Sequence, residues 1–149
     1  MKKIIIIPVL LIAVVISSAF KNYQNTQLVM VGESLSNGKV LPFVNITVIY
    51  ENKHISRFRT NNEGECVFKL KLNQQYQVVY SKPGYESKLI KVDATVNKDF
   101  DKEAEFFYSI DLKKCKEAFP EPKLVATLLF NGNKLQCNDE VPLMASNEK

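Results

Sequence analysis

Short runs of alternating apolar and polar residues fill the middle of this chain. In the run from Cys66 to Leu72, apolar side chains at every second position share one face, and Lys69 and Lys71 share the other. Such alternation is typical of strands with one buried and one solvated face, and helical periodicity is not sustained. The pattern predicts seven strands, namely Leu28–Leu35, Phe43–Glu51, Ile55–Thr60, Cys66–Leu72, Gln75–Ser81, Ser87–Val92 and Ala104–Leu112.

Residues that favour turns separate these runs. Gly38 follows the first run, and Gly64 lies in a hairpin loop that needs a residue at positive φ. Pro83 and Gly84 suit the second and third positions of a type II turn. Beyond the seventh run, an Asn-Gly turn at 131–133 predicts a C-terminal hairpin with strands Leu124–Phe130 and Lys134–Cys137.

Three segments together resemble a known family, the carboxypeptidase regulatory-like domain. They are Gly32–Val48, Thr60–Phe68 and Lys82–Tyr85. The resemblance covers residues 27–112 and implies an all-β fold, a seven-stranded antiparallel Greek-key β-sandwich of the prealbumin-like (transthyretin-like) type. It implies little about function, because in metallocarboxypeptidases this sandwich accompanies the catalytic domain without holding the zinc. Similar modules form small exported proteins of Gram-negative bacteria.

The N-terminus has the three parts of a secretory signal peptide. Lys2 and Lys3 are its basic region, Ile4–Ile16 is its apolar region, and Ala19 ends a run of small residues. We expect cleavage between Ala19 and Phe20. The alternative, an uncleaved anchor helix, needs about 20 apolar residues to cross a bilayer. The predicted organisation is a signal peptide at 1–19, a polar leader at 20–26, the sandwich at 27–112, and an extension at 113–149 with the hairpin and a frayed tail.

Charge argues against a nucleic-acid partner. The chain has 20 Lys and Arg against 16 Asp and Glu, and its net charge of +4 falls to +2 once Lys2 and Lys3 leave with the signal. That excess is too small for binding to nucleic acid or to an anionic membrane. No second long apolar stretch follows the signal, so no transmembrane span is expected after cleavage.

Catalytic chemistry finds little support in the residue pattern. His54 is the single histidine of the chain, which excludes a zinc site built mainly on histidines. A Ser-His-Asp triad would have to use His54, and no Gly-x-Ser-x-Gly motif accompanies it. We therefore predict no enzyme, no catalytic residues and no cofactor, and keep a hydrolase as the least favoured alternative.

Two further groups are candidate sites. Asn97, Asp99, Asp101 and Glu103 alternate in a charged loop and are a weak calcium candidate, although Lys98 and Lys102 interrupt them and a solvated loop is the favoured interpretation. Cys115 and Cys137 are a disulfide candidate, since export permits bridging. Three cysteines allow three single bridges or none, and Cys66 is predicted to stay a buried thiol.

The leading functional hypothesis is a non-enzymatic exported module that binds a protein or an envelope component through loops or an edge strand. Its location is predicted to be periplasmic, outer-membrane associated or secreted. The alternative is a glycan-binding module that uses Tyr80, Tyr85 and Phe107 as an exposed aromatic surface. A basic stripe, Lys53, Arg57 and Arg59, is interpreted as a solvated strand face.

Overall fold

The computed structural model describes residues 27–96, 103–132 and 134–138, and the predicted all-β class is confirmed there. These residues form two open sheets, one of four strands and one of six. Within the described ranges, no helix is long and apolar enough to cross a membrane. The strands are β1 (Gln27–Ser36), β2 (Lys39–Val40), β3 (Asn45–Tyr50), β4 (Lys53–Arg59), β5 (Glu65–Lys71), β6 (Gln75–Ser81), β7 (Lys88–Asp93), β8 (Ala104–Asp111), β9 (Lys123–Phe130) and β10 (Leu135–Asn138).

The first sheet is built around β1. Strand β5 pairs antiparallel with one side of β1, from Gln27 opposite Lys71 to Glu33 opposite Glu65. Strand β8 pairs with the other side of β1 in parallel, and the short β2 folds back on the end of β1. Both β5 and β8 are therefore edge strands.

The second sheet has the order β10-β9-β7-β6-β3-β4, with β4 and β10 at its edges. Its neighbours pair antiparallel except β7 and β9, which are parallel. The chain leaves this sheet after β7, passes through β8 of the first sheet, and returns as β9. That crossing lets β9 enter the sheet in the same direction as β7.

The core lies between the two sheets, where alternation places the apolar side chains. Phe68 and Leu70 of β5 are buried, while Lys69 and Lys71 between them are exposed. Tyr80 and Tyr108 face each other from opposite sheets, and their hydroxyls are hydrogen-bonded. Both rings are almost wholly buried, with 1% and 3% of their surface exposed. The inner faces predicted from period two are therefore the ones that form the core.

Two parts of the predicted architecture differ from the structure. The predicted sheets are antiparallel, but the β1–β8 and β7–β9 pairings are parallel, because alternation reports burial and carries no strand direction. The C-terminal hairpin was predicted in an extension beyond the sandwich, yet β9 extends the second sheet and buries Leu128 in the common core. The described residues also contain ten strands where the resemblance implies seven.

A buried polar cluster fixes the loops that join the sheets. The Ser34 hydroxyl lies 2.6 Å from the Leu41 carbonyl and 3.0 Å from the Gly64 carbonyl, and Thr60 accepts a bond from the Val44 amide. Gly64 has a φ of 76°, and a Cβ there would lie 2.7 Å from the Ser34 carbonyl oxygen. Only glycine fits this position without strain. The loop from Thr60 to Glu65 consequently holds β4 of the second sheet beside β5 of the first.

Candidate functional site: the open edge of β5

The edge strands β4 and β5 lie on the same side of the sandwich, one in each sheet. Between them opens a cavity of about 320 Å³. Because the first sheet has fewer strands than the second, the inner face of β4 is incompletely covered, and Phe58 is only half-buried. The lining residues come from β3, β4, β5 and β6 and the turn before β6; those used below are Tyr50, Phe58, Lys69, Leu70, Lys71 and Tyr76.

Aromatic rings form the apolar wall of this cavity. Tyr50 and Tyr76 are tilted against each other with ring centroids 5.9 Å apart. Phe58 stacks on Phe68 of β5 at 5.3 Å. Aromatic pairs at such distances provide large, rigid contact surfaces with a defined geometry. The cavity therefore suits an apolar or aromatic side chain.

Hydrogen bonds close the outer edge of β5 at both of its ends. At one end Glu65 donates its amide to the Asn61 side chain and accepts a bond from the Asn61 amide. At the other end the Lys71 amide donates to the Tyr76 hydroxyl, which also lies 3.1 Å from the Lys71 carbonyl oxygen. The backbones of Glu65 and Lys71 thus point away from β1.

The middle of the same edge is open. Along a strand, the backbone groups of successive residues point to opposite sides, and the pairing of β5 with β1 is regular without a bulge. Val67 and Lys69 therefore point in the same direction as Glu65 and Lys71. Within the part of the chain that the structure describes, no backbone or side-chain group bonds to the amides or carbonyls of Val67 and Lys69. Two donors and two acceptors are available there for another strand.

Charge around the opening is mainly positive. Lys71 of β5 is exposed, and so is Lys53 of β4, which lies opposite the cavity residue Tyr50. Lys69 forms an ion pair with Glu103, with its ammonium nitrogen 2.7 Å from the carboxylate. Both side chains of that pair are about half exposed, so it contributes little stability. These cations favour an acidic group over a basic one at the opening.

The tyrosines of the cavity stay neutral at physiological pH. A hydrogen bond to Glu51 raises the pKa of Tyr50, and burial raises the pKa of Tyr76. Neither hydroxyl supplies a phenolate for acid–base chemistry near pH 7. The wall of the cavity is therefore a neutral aromatic surface with hydrogen-bonding tips.

Several residues singled out in the sequence lie outside the described ranges. The signal peptide, the Ala19–Phe20 cleavage site, the polar leader at 20–26 and the tail beyond Asn138 are among them. Of the calcium candidates, Asn97, Asp99 and Asp101 also lie outside, whereas Glu103 pairs with Lys69. Among the residues that are described, no three His, Cys, Asp or Glu side chains are grouped to hold a metal.

The structure does not bring Cys115 and Cys137 together. The Cys115 amide bonds to the Gly84 carbonyl, near the end of β9 where Lys123 begins the strand. Cys137 lies opposite Leu128, five residues further along β9, which is about 16 Å of strand. A disulfide needs Cα atoms within about 7 Å. Both cysteines are thiols in this structure, and the predicted bridge is not formed.

We accordingly expect Cys115 and Cys137 to be alkylated without prior reduction. The Cys115 thiol is half-buried and donates to the Glu117 carbonyl, and the Cys137 side chain is exposed. Burial raises the pKa of the Cys66 thiol, so Cys66 should react more slowly. Peptide mass spectrometry after iodoacetamide treatment measures this. A disulfide-linked pair of peptides containing Cys115 and Cys137 would contradict the expectation.

The aromatic surface predicted for a glycan is not assembled as expected. Tyr80 is buried in the core, because it lies on the inner face of β6 with Tyr76. Phe107 is 49% exposed on the outer face of β8, and Tyr85 lies in the turn after β6 beside Lys82. Tyr80 therefore contributes nothing to a surface, and its assignment as an exposed aromatic is wrong.

The remaining residues that the sequence singled out lie in turns and strands of the sandwich. Gly38, Gly64 and Gly84 have φ angles of 72°, 76° and 79°, and Tyr85 closes a turn by donating its amide to the Lys82 carbonyl across Pro83 and Gly84. His54 lies in β4 opposite Ile49. Arg59 of the basic stripe lies over the Phe43 ring, 4.9 Å from its centroid.

The residues that form the open edge were missed as a site. Tyr50 and Tyr76 were predicted only as part of alternating runs, and their convergence depends on the pairing of β3 with β6. One signal was present in the sequence. Val67 is an apolar residue on the otherwise charged face of β5, and it is 58% exposed.

Neither a protein-family model nor a curated protein matches this chain. Three solved structures resemble parts of it. The TIE protein of Bacillus anthracis is 17% identical with a TM-score of 0.47, over 60% of this chain and 17% of that one. A 3-chlorocatechol 1,2-dioxygenase from Rhodococcus opacus is 14% identical with a TM-score of 0.48, over 64% of this chain and 62% of that one.

The third structure is a mutant catechol 1,2-dioxygenase from Acinetobacter radioresistens. It is 10% identical with a TM-score of 0.41, over 64% of this chain and 53% of that one. The chain spans less than two thirds of the length of each of the three structures.

These comparisons correct one prediction from the sequence. Two of the three similar structures are dioxygenases, which are enzymes. The prediction that this chain is not an enzyme is therefore withdrawn. The similarity assigns no reaction and no catalytic residue to this chain.

Proposed function

We propose that this chain is an exported β-sandwich module that binds an extended segment of another protein. The bound segment adds as a strand to the open edge of β5 and inserts a side chain into the cavity between the sheets. The observation that carries the proposal is a pair of edge positions in front of an aromatic cavity, Val67 and Lys69, whose outward backbone groups have no partner among the described residues. Backbone hydrogen bonds at an edge give affinity, and pockets for alternate side chains give specificity.

The rest of the sequence-based hypothesis belongs to the same proposal. Export follows from the signal peptide at 1–19, and the partner is then an envelope or extracellular protein. Residues 27–112 are proposed to be a prealbumin-like sandwich on the basis of the three segments that resemble the carboxypeptidase regulatory-like domain. In this scheme the module acts at the cell envelope or beyond it.

Proline substitutions test the proposal with a matched control. Val67 and Phe107 flank Val31 in the same row of the first sheet, one on each edge strand, and both are exposed. The Leu112 amide bonds to Leu35 of β1, so alternation points the Phe107 amide outward, as it does for Val67. Proline at such an edge position removes a donor without breaking the ladder to β1. Val67→Pro and Phe107→Pro thus make the same change on opposite edges.

The probe is a neutral peptide, acetyl-Ser-Gln-Phe-Gln-Phe-Gln-Ser-amide, titrated by calorimetry. We expect Val67→Pro to weaken its binding about tenfold, since one hydrogen bond of about 1.4 kcal/mol is lost. Phe107→Pro should leave the affinity unchanged, and thermal unfolding checks that both variants fold. Equal binding by wild type and Val67→Pro, or no binding of the peptide at all, would overturn the proposal.

A further inference from the structure

We propose that the segment bound at β5 alternates acidic residues with large apolar residues. This inference rests on the proposed strand addition and deepens it by naming the chemistry of the partner. It follows from the register that any added strand must adopt. The side chains of β5 alternate between the outer face and the cavity, so those of its new neighbour alternate with them.

The outer-face positions of the added strand select for acidic residues. Lys69 and Lys71 point outward from β5 and are exposed. Side chains directly opposite on neighbouring strands have Cβ atoms about 5 Å apart, and opposite charges at that distance attract. The residue of the partner that lies opposite Lys69 is therefore acidic, and Lys71, at the closed end next to it, adds a second positive charge within diagonal reach.

The intervening positions of the added strand face the core. Their neighbours on β5 are Phe68 and Leu70, both buried. Beyond these lies the cavity, which is lined by the partly exposed Tyr50 and Phe58 and by the buried Tyr76. A large apolar residue, and an aromatic one in particular, covers these rings and removes apolar surface from water.

The carboxylates near the opening do not cancel its charge. Glu103 pairs with Lys69, and Glu51 lies beside Tyr50. Lys71 forms no ion pair within the described residues, and Lys53 of β4, which lies opposite the cavity residue Tyr50, is a further exposed cation beside the opening. Glu65 lies at the far end of β5, next to Asn61. Lys53, Lys69 and Lys71 exceed Glu51 and Glu103 at the opening by one charge, so an acidic strand is favoured over a basic one.

The test uses three peptides that differ only in charge. They share the pattern acetyl-Ser-X-Phe-X-Phe-X-Ser-amide, with Glu, Gln or Lys at X, and this pattern is the same in both strand directions. From one direct pair with Lys69 and one diagonal pair with Lys71 we expect the Glu peptide to bind about 2- to 30-fold more tightly than the Gln peptide. The Lys peptide should bind most weakly. The difference should shrink in 1 M salt, where charges are screened within about 3 Å.

A charge reversal on the protein separates this inference from the proposed function. Lys71→Glu should weaken the binding of the Glu peptide and strengthen the binding of the Lys peptide. The affinity of the Gln peptide should stay unchanged. Lys91→Glu, an exposed lysine on β7 of the other sheet, is the matched control and should change none of them. If the Gln peptide binds but the Glu peptide binds no more tightly, the inference fails and strand addition stands. If none of the three peptides binds, strand addition itself fails.

Discussion

Gly32→Ala is expected to lower the free energy of unfolding by about 2–5 kcal/mol, the sum of overpacking and of a broken buried hydrogen bond. Gly32 lies in β1 under the ring of Tyr108, and a Cβ there would lie 2.7 Å from the tyrosine oxygen and 2.8 Å from Cζ. Tyr108 is packed between the sheets and is almost wholly buried. The added methyl group therefore displaces the ring and separates it from Tyr80.

Urea denaturation of the purified protein measures this effect. Gly38→Ala is the control, because its Cβ meets nothing within 4 Å and its cost comes only from a φ of 72°. We expect about 1–2 kcal/mol for that strain. A Gly32→Ala variant within 0.5 kcal/mol of wild type would show that Tyr108 is not packed against β1 as described.

The second large effect concerns the hydrogen bond between Tyr80 and Tyr108. Tyr80→Phe or Tyr108→Phe leaves the other hydroxyl buried without that partner, which costs about 1–3 kcal/mol. The double substitution removes both hydroxyls together. We therefore expect it to destabilise the protein by less than the sum of the single changes, as a double-mutant cycle measures. Additive losses would contradict a direct bond between the two side chains.

The same pair makes the protein sensitive to alkali. Burial raises the pKa of both Tyr80 and Tyr108 above the ordinary value of 10.0. Above pH 10 the unfolded chain loses these protons while the folded chain keeps them, so the free energy of unfolding falls as pH rises. Below pH 10 their contribution is fully present. The double phenylalanine variant should show a flatter decline between pH 10 and 12 in chemical denaturation.

The sequence supports a detailed prediction of strands because the alternation of apolar and polar residues indicates which face of each strand is buried. Gln75–Ser81 was predicted with the bounds that the structure has. The alternation does not indicate which strands pair with each other or whether they run parallel or antiparallel. Leu124–Phe130 has the pattern of a hairpin strand, and its parallel pairing with β7 depends on where β8 leads the chain.

The candidate site was harder to predict than the strands. Tyr50 and Tyr76 converge only after β3 pairs with β6, and the side-chain bonds of Asn61 and Tyr76 decide which part of β5 stays open. The predicted export favoured a disulfide between Cys115 and Cys137. The distance between these two cysteines is set by their positions along β9, and their spacing in the sequence does not reveal it. The exposed Val67 was visible as an exception to the alternation, and its meaning required the edge to be located.

Amide hydrogen exchange tests strand addition at β5 most directly. Without a ligand, the amides of Val67 and Lys69 point to solvent and should exchange quickly, as should that of Phe107 on the opposite edge. With the neutral peptide at saturation, NMR-detected exchange should slow at Val67 and Lys69 and remain fast at Phe107. Protection at Phe107 in place of Val67 and Lys69, or protection at neither edge, would contradict the account.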